Sequence, residues 1–172
     1  FFFDDVKGLS PAIADSYDVS EDGICYTFHI RKGALFHDGN QIKASDVVFS
    51  IERAEKASFI SRFVSHVDTA TAIDDLTVEV KLKAAFAPFI RVISGLLIVS
   101  EKAITEMGDR YGPDGAVGSG PYMLKEWKTG EYTLLERFED YYQGPSPIKY
   151  VKVVGIPDKN AMLIALETGQ VD

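Results

Sequence analysis

The chain has 172 residues, 46% of them hydrophobic and 12% aromatic, and its formal net charge at pH 7 is −8. This composition predicts a folded globular domain rather than a disordered segment or a coiled coil. The negative charge argues against a nucleic-acid partner, whose phosphates need a basic surface. No apolar run approaches the roughly 20 residues of a membrane span, and the single cysteine, Cys25, cannot form an internal disulfide.

The first clearly predicted strand covers residues 24–30. Apolar side chains take alternate positions in it, at Ile24, Tyr26, Phe28 and Ile30. This alternation is the period of a half-buried β-strand. Gly33 and Gly39 follow, and each allows the backbone to turn with positive φ on either side of a short apolar piece. The segment therefore predicts a compact β-arch.

Two short helices are predicted after the arch. Residues 46–55 place Val47, Val48, Ile51 and Ala54 on one helical face. Its start has two alternatives: either Ser45 caps the helix, or the first turn frays, because the ammonium group of Lys43 cannot accept from free backbone N–H groups. Residues 58–67 also carry apolar side chains at helical spacing, which predicts a second helix.

The remaining elements are predicted from alternation, proline and capping residues. Strands are expected at residues 76–82, 122–127, 132–138 and 151–156; Pro88 opens a helix that ends at Ile93; and Ser100 and Asp158 cap helices that end near Gly108 and at Gly169. Strands mixed with short surface helices predict an α+β fold with mixed sheets rather than a regular βαβ array.

Short motifs follow one another in a fixed order along nearly the whole chain. They include Tyr26-Thr27-Phe28, Arg31-Lys32-Gly33, Phe36-His37-Asp38-Gly39, Ala44-Ser45-Asp46-Val47-Val48-Phe49-Ser50, Gly118-Ser119-Gly120-Pro121-Tyr122 and Ala165-Leu166-Glu167-Thr168-Gly169. This ordered series resembles the extracellular solute-binding proteins of family 5, the subgroup of ABC-importer receptors that handles peptides, nickel chelates and related solutes.

The resemblance implies most of lobe I of a two-lobed, periplasmic-binding-protein-like fold of type II, cluster C. It divides the chain into a hinge-side sheet, approximately residues 1–35 and 115–172, and an inserted α+β subdomain, approximately residues 36–114. Lobe II is expected to be absent, with both ends of the chain cut. Strand edges left without partners would then favour self-association.

The implied function is capture of an oligopeptide or another small polar solute between two lobes, for delivery to ABC permease membrane subunits. The expected location is periplasmic or extracytoplasmic, with the membrane reached only through the transporter complex. Neither enzymatic activity nor a cofactor is expected. Two alternatives are a standalone structural or interaction domain that reuses the lobe scaffold and, less favoured, a hydrolase.

Two segments are candidate solute contacts. Lys7, Gly8 and Leu9 match the place where some peptide-binding relatives pair a solute with the protein backbone. The second segment is a turn at residues 118–122. A phosphate-binding loop is followed directly by a helix, and no helix is predicted after this turn. It is either a purely structural turn or a cleft edge at which Ser119, Gly120 and Tyr122 meet solute.

A metal site is not expected. His29, His37 and His66 are the only histidines, and none of their spacings is that of a preformed metal centre.

Overall fold

The structure, a computed structural model, describes residues 1–4, 8–112 and 115–172. The strands are β1 (Phe2–Asp4), β2 (Gly8–Ser10), β3 (Ala14–Val19), β4 (Cys25–Ile30), β5 (Val67–Ala72), β6 (Thr77–Leu82), β7 (Tyr122–Lys128), β8 (Tyr132–Arg137) and β9 (Tyr150–Val154). The α-helices are α1 (Ala44–Glu55), α2 (Phe89–Ile93), α3 (Glu101–Met107) and α4 (Lys159–Glu167), and 3-10 turns cover Ser61–Phe63 and Gly108–Arg110.

The strands form three sheets, in the orders β1-β2, β3-β4-β6-β5 and β7-β8-β9. The α+β class is confirmed, but every described pairing is antiparallel, where mixed sheets were expected. Several neighbouring strands are joined by short turns, which suit antiparallel hairpins, whereas a parallel pair needs a long crossover.

The pairing of β4 with β6 crosses the expected boundary at residue 35, because it joins strands from both sides of that boundary in one sheet. The strands within 1–35 share no sheet with those of 115–172 in the described part of the chain. The assignment of either part to a lobe of a larger protein stays a prediction.

The main core lies between the four-stranded sheet and α1. Tyr26, Phe28 and Ile30 are buried on β4, as their alternation predicts. The register sets Phe28 opposite Val78 and Tyr26 opposite Val80 on β6. The buried face of α1 adds further apolar side chains, those of Val47, Ile51 and Ala54. Each large apolar side chain buried in this way contributes on the order of 1.5–3 kcal/mol.

The β-arch has the predicted turns. Gly33 and Gly39 have φ values of 79° and 80°, a backbone region that side-chain-bearing residues rarely occupy. A bridge between Leu35 and Gln41 closes the arch. The arch therefore holds Phe36 fully buried, with His37 on the adjoining turn.

The start of α1 differs from both predicted alternatives. The helix begins at Ala44 with Lys43 as its N-cap, so Ser45 lies inside the first turn and does not cap it. The Asp46 carboxylate accepts from the Lys43 backbone N–H at 2.9 Å. Its other oxygen accepts from the Glu101 N–H at 3.0 Å, so one carboxylate orders the starts of α1 and α3. This second bond depends on tertiary packing and leaves no local sequence signal.

The helix predicted over residues 58–67 is wrong. Only Ser61–Phe63 form a 3-10 turn, and Val67 begins strand β5. Val67 pairs with Leu82 on β6 and is almost fully buried, whereas Phe59 stays 75% exposed. Backbone pairing with β6 and burial of Val67 outweigh the local helical spacing.

The capping predictions for the later helices are confirmed. The Ser100 hydroxyl accepts from the Ala103 N–H at 3.1 Å, and the Asp158 carboxylate accepts from the Ala161 N–H at 2.8 Å. No helix in the described ranges has the length and apolar character that a bilayer crossing needs.

Candidate functional site

His37 joins the β-arch to the 118–122 turn. Its Nδ1 accepts from the Gly118 N–H at 3.2 Å, and its Nε2 lies 3.0 Å from the Gly120 carbonyl oxygen. The His37 backbone N–H also donates to the Gly118 carbonyl at 2.8 Å. Three hydrogen bonds therefore hold the turn against the arch, over more than 80 residues of intervening chain.

These contacts fix the tautomer of the His37 ring. An Nδ1 that accepts from an N–H group carries no proton, so the proton lies on Nε2 and is donated to the Gly120 carbonyl. Burial lowers the pKa of His37 below its usual value, although the Gly120 hydrogen bond and the nearby Asp38 oppose this change. Burial disfavours the charged imidazolium, so the neutral ring is the stable form here.

Aromatic packing surrounds this contact. The His37 ring meets Phe138 edge-on, with ring centroids 5.1 Å apart. Phe138 is buried, and its N–H donates to the Pro121 carbonyl at 2.9 Å. We call the group of His37, Gly118, Gly120 and Phe138 the arch–turn junction. It sets the position of the turn that precedes β7.

Two of the predicted solute contacts in the turn, Ser119 and Tyr122, are half-buried. Ser119 is half-buried, between the two glycines that His37 binds. The Tyr122 ring is half-buried, and its hydroxyl bonds Ser146 Oγ at 2.7 Å and donates to the Ile148 carbonyl at 2.9 Å. The Tyr122 hydroxyl therefore has protein partners, and its ring is the part that remains for a solute.

The predicted main-chain site lies in a different sheet from this turn. Gly8 and Leu9 belong to β2, where Gly8 has a φ of 72°, while Lys7 lies outside the described residues. Within the described ranges β2 pairs only with β1. No other strand of the described residues pairs with its second edge. The hydrogen bonds of the described residues do not link β2 to the 118–122 turn.

The other two histidines contact side chains outside the arch–turn junction. His29 Nε2 lies 2.9 Å from Asp18 Oδ2, and His66 stacks on Phe86 with centroids 3.8 Å apart. Among the residues that the structure describes, no cluster of three His, Cys, Asp or Glu side chains could hold a metal ion.

One apolar cavity of about 90 Å³ lies between the four-stranded sheet, α1 and α2, with residues such as Phe28, Ile51 and Ile93 in its lining. Ser94 is its one side chain with a polar group. A polar solute would lose hydrogen bonds there. Among the described residues, none of the predicted contacts Gly8, Leu9, Ser119, Gly120 and Tyr122 lines this cavity.

Comparison with known proteins gives one consistent family. The family model for bacterial extracellular solute-binding proteins, family 5, middle region, matches residues 8–172. A glutathione-binding protein, GsiB from Pectobacterium atrosepticum, is 31% identical over 176 residues, which cover 99% of this chain and 34% of that protein.

Solved structures agree with this result. The ABC transporter substrate-binding protein CtaP from Listeria monocytogenes superposes with a TM-score of 0.85 at 31% identity, covering 99% of this chain and 36% of that one. The periplasmic binding protein DppA from Helicobacter pylori, in complex with the peptide STSA, gives 0.83 at 30% identity, covering 94% of this chain and 37% of that one. The chain thus spans about a third of the length of the relatives it matches.

Proposed function

The chain belongs to the bacterial extracellular solute-binding proteins of family 5, and from this premise we propose that it forms most of lobe I of an ABC-importer receptor that captures a peptide or a similar small polar solute. The observation that carries the proposal is the match to CtaP, which covers 99% of this chain at a TM-score of 0.85 but only 36% of CtaP. A relative named as a glutathione-binding protein and a solved relative in complex with the peptide STSA support a peptide-like solute.

The proposed mechanism is a population shift and breaks no bond. A solute that contacts both lobes only in the closed state binds that state more tightly, so it moves the hinge equilibrium toward closure. The closed receptor then presents the solute to the permease subunits, outside the cytoplasmic membrane. One lobe alone offers only part of the contacts, so it binds the same solute weakly.

Main-chain pairing at β2 is the proposed mode of peptide recognition, through Lys7, Gly8 and Leu9. It is supported by the second edge of β2, which pairs with no other described strand, because an extended peptide can add to such an edge through backbone hydrogen bonds that tolerate many side chains. Ser119, Gly120 and the Tyr122 ring are proposed as a second contact at the turn. There the Tyr122 hydroxyl is already bonded to Ser146 and Ile148, so the ring face is the surface offered.

Calorimetry with the full-length receptor and with the 172-residue chain tests the two-lobe proposal. Reduced glutathione and the peptide Ser-Thr-Ser-Ala are suitable probes. The full-length receptor should bind at least one of them with a Kd of about 1 μM or tighter, near −8 kcal/mol. The chain alone should bind neither below about 1 mM, near −4 kcal/mol. Submillimolar binding by the chain alone would contradict the two-lobe mechanism, and absence of binding by the full-length receptor would contradict a peptide-like solute.

A peptide with methylated backbone nitrogens tests the recognition mode. Methylation removes the N–H donors that strand pairing requires, so the full-length receptor should bind the methylated peptide more weakly by about tenfold or more. A peptide of equal length with altered side chains is the matched control and should bind within a few-fold of the original. Equal affinity for the methylated and unmethylated peptides would exclude pairing at β2.

A further inference from the structure

We propose that His37 is a positioning residue whose ring binds both Gly118 and Gly120 of the 118–122 turn only while it is neutral, so that acid releases the Gly118 N–H and loosens the turn there. Both ring nitrogens are engaged, and their roles are opposite: Nδ1 accepts from the Gly118 N–H, and Nε2 donates to the Gly120 carbonyl. The proposal concerns the chain itself and holds whatever the solute.

Protonation of Nδ1 turns the acceptor into a second donor. The Nδ1–H would then face the Gly118 N–H at a separation suited to a hydrogen bond, and two donors repel there. The Gly120 contact survives, since Nε2 keeps its proton. The backbone bond from His37 N–H to the Gly118 carbonyl also survives, because it does not titrate. Acid therefore loosens one end of the turn without detaching it.

The charged groups near the ring do not provide a strong counter-charge for an imidazolium. Asp38 acts electrostatically on His37, but its two oxygens accept from the backbone and side-chain nitrogens of Asn40 at 3.0 and 2.7 Å. On the strand end that packs against the ring, Arg137 and Glu139 flank Phe138 and pair with each other at 2.9 Å. The ring itself meets the apolar Phe138 edge.

The pH dependence has a definite sign. Burial lowers the pKa of folded His37 below that of the unfolded chain, so the unfolded state takes up a proton first as pH falls. The stability that His37 contributes is complete above the ordinary histidine pKa, near 6.5, and is lost as the pH falls from there through the lower folded pKa.

The close packing of Gly118 gives independent support. A Cβ added to Gly118 would lie 3.3 Å from Cε1 and 3.6 Å from Nδ1 of His37, whereas one added to Gly120 would meet nothing within 4 Å. The ring therefore packs closely against the Gly118 backbone, where an added side chain would require it to shift by a few tenths of an ångström.

His37→Gln separates positioning from titration. A glutamine amide has one acceptor and two donor positions, so it can accept from Gly118 and donate to Gly120, yet it does not titrate. The matched control is His66→Gln, which removes the histidine that stacks on Phe86 and leaves the junction intact.

The measurement is hydrogen exchange of the Gly118 amide at pH 7.5 and at a pH one unit below the midpoint at which the ¹⁵N shifts of the His37 ring titrate, corrected for the intrinsic exchange rate, without solute. Wild type and His66→Gln should lose protection by about fivefold or more at the lower pH, as expected for loss of one hydrogen bond. His37→Gln should lose less than about twofold. An equal loss in wild type and His37→Gln, or no loss in wild type, would overturn the proposal.

A second measurement on the wild-type chain keeps the proposal testable if His37→Gln does not fold. The ¹⁵N chemical shifts of the His37 ring at pH 7.5 should report a neutral ring with its proton on Nε2, and the ring should titrate below the ordinary histidine pKa. A ring with its proton on Nδ1, or one that titrates above the ordinary value, would contradict the assignment. Neither measurement uses a solute. A failure of the His37 proposal is therefore distinguishable from a failure of the proposed solute capture.

Discussion

His37 and Asp46 illustrate how single polar side chains order backbone segments that are distant in sequence. Each side chain provides two hydrogen-bonding atoms: His37 bonds Gly118 and Gly120 of the 118–122 turn, and Asp46 bonds the starts of α1 and α3. A buried backbone N–H without a partner costs roughly 1–3 kcal/mol, so a side chain that satisfies one also fixes the path of the chain.

Local features of individual residues were predictable from the sequence, while long-range partners were not. The positive φ of Gly33 and Gly39 and the cap at Ser100 depend on neighbours within a few residues. The partners of His37, by contrast, lie 81 and 83 residues away, and its sequence neighbours give no indication of them. The motifs around residues 37 and 118 are far apart in the sequence, and neither motif predicts a contact with the other.

Gly95 is the residue where the structure predicts the sharpest effect of one added methyl group. An alanine Cβ there would lie 2.8 Å from Cδ1 and 2.9 Å from Cζ of Phe63, so the ring must move. We expect Gly95→Ala to reduce the free energy of unfolding by about 1–3 kcal/mol, as overpacking commonly does. Urea denaturation measures this change.

Gly155→Ala is the matched control for Gly95→Ala. Gly155 also lacks a positive φ, and its added Cβ would meet nothing within 4 Å. The alanine restricts the unfolded chain, so it should leave stability unchanged or raise it by up to about 1 kcal/mol. Equal effects of the two substitutions would show that Phe63 does not constrain Gly95.

Among the secondary-structure elements, the strands with strong alternation were predicted and the polar edge strands were missed. β4 and β6 alternate apolar and polar residues and are buried on one face. β3 and β5 lie at the edges of the same sheet and expose most of their side chains, so their sequences ADSYDV and VDTATA carry little periodicity. Their strand character comes from backbone pairing with β4 and β6, which the local sequence does not encode.

Asp46 provides a test of how two helices depend on one side chain. In Asp46→Asn the amide keeps one acceptor, but its NH₂ group faces a backbone N–H, so α1 or α3 loses its bond. The substitution also removes a negative charge from two helix starts. We expect stability to fall by about 2–3 kcal/mol in urea denaturation.

Asp75→Asn is the control for the Asp46 prediction, since Asp75 touches the same helix start through an exposed ion pair. Its carboxylate lies 3.2 Å from Lys43 Nζ, and its side chain is 78% exposed. Exposed pairs of this kind contribute between about 0 and 1 kcal/mol. A loss at Asp46 no larger than that at Asp75 would contradict the shared role of Asp46 in α1 and α3.

Exposed apolar side chains concentrate near the end of the described chain. Those on or beside β9 and α4 are Ile148, Tyr150, Val153, Val154, Met162, Leu163, Ile164 and Leu166, each at least 43% exposed. In α4 only Ala165 is buried. Large exposed apolar side chains in a monomer commonly mark an interaction site when they are contiguous, and on α4 alone Met162, Leu163, Ile164 and Leu166 are neighbours in sequence. In the proposed receptor, further parts of the protein would cover it.

This apolar surface predicts self-association of the 172-residue chain. Sedimentation velocity should detect oligomers at protein concentrations of about 100 μM, because burying such surface between copies releases roughly 25 cal/mol per Å². Met162→Lys combined with Leu166→Lys places two charges one helical turn apart on α4, at positions where lysine keeps good helix propensity. The association constant should fall by about tenfold or more, or ~1.4 kcal/mol.

Leu97→Lys is the control: Leu97 is 83% exposed but lies far from these elements in sequence, so its replacement should change the constant by less than about twofold, or ~0.4 kcal/mol. A monomeric wild type at this concentration, or an equal effect of Leu97→Lys, would show that the exposed side chains of α4 do not drive association.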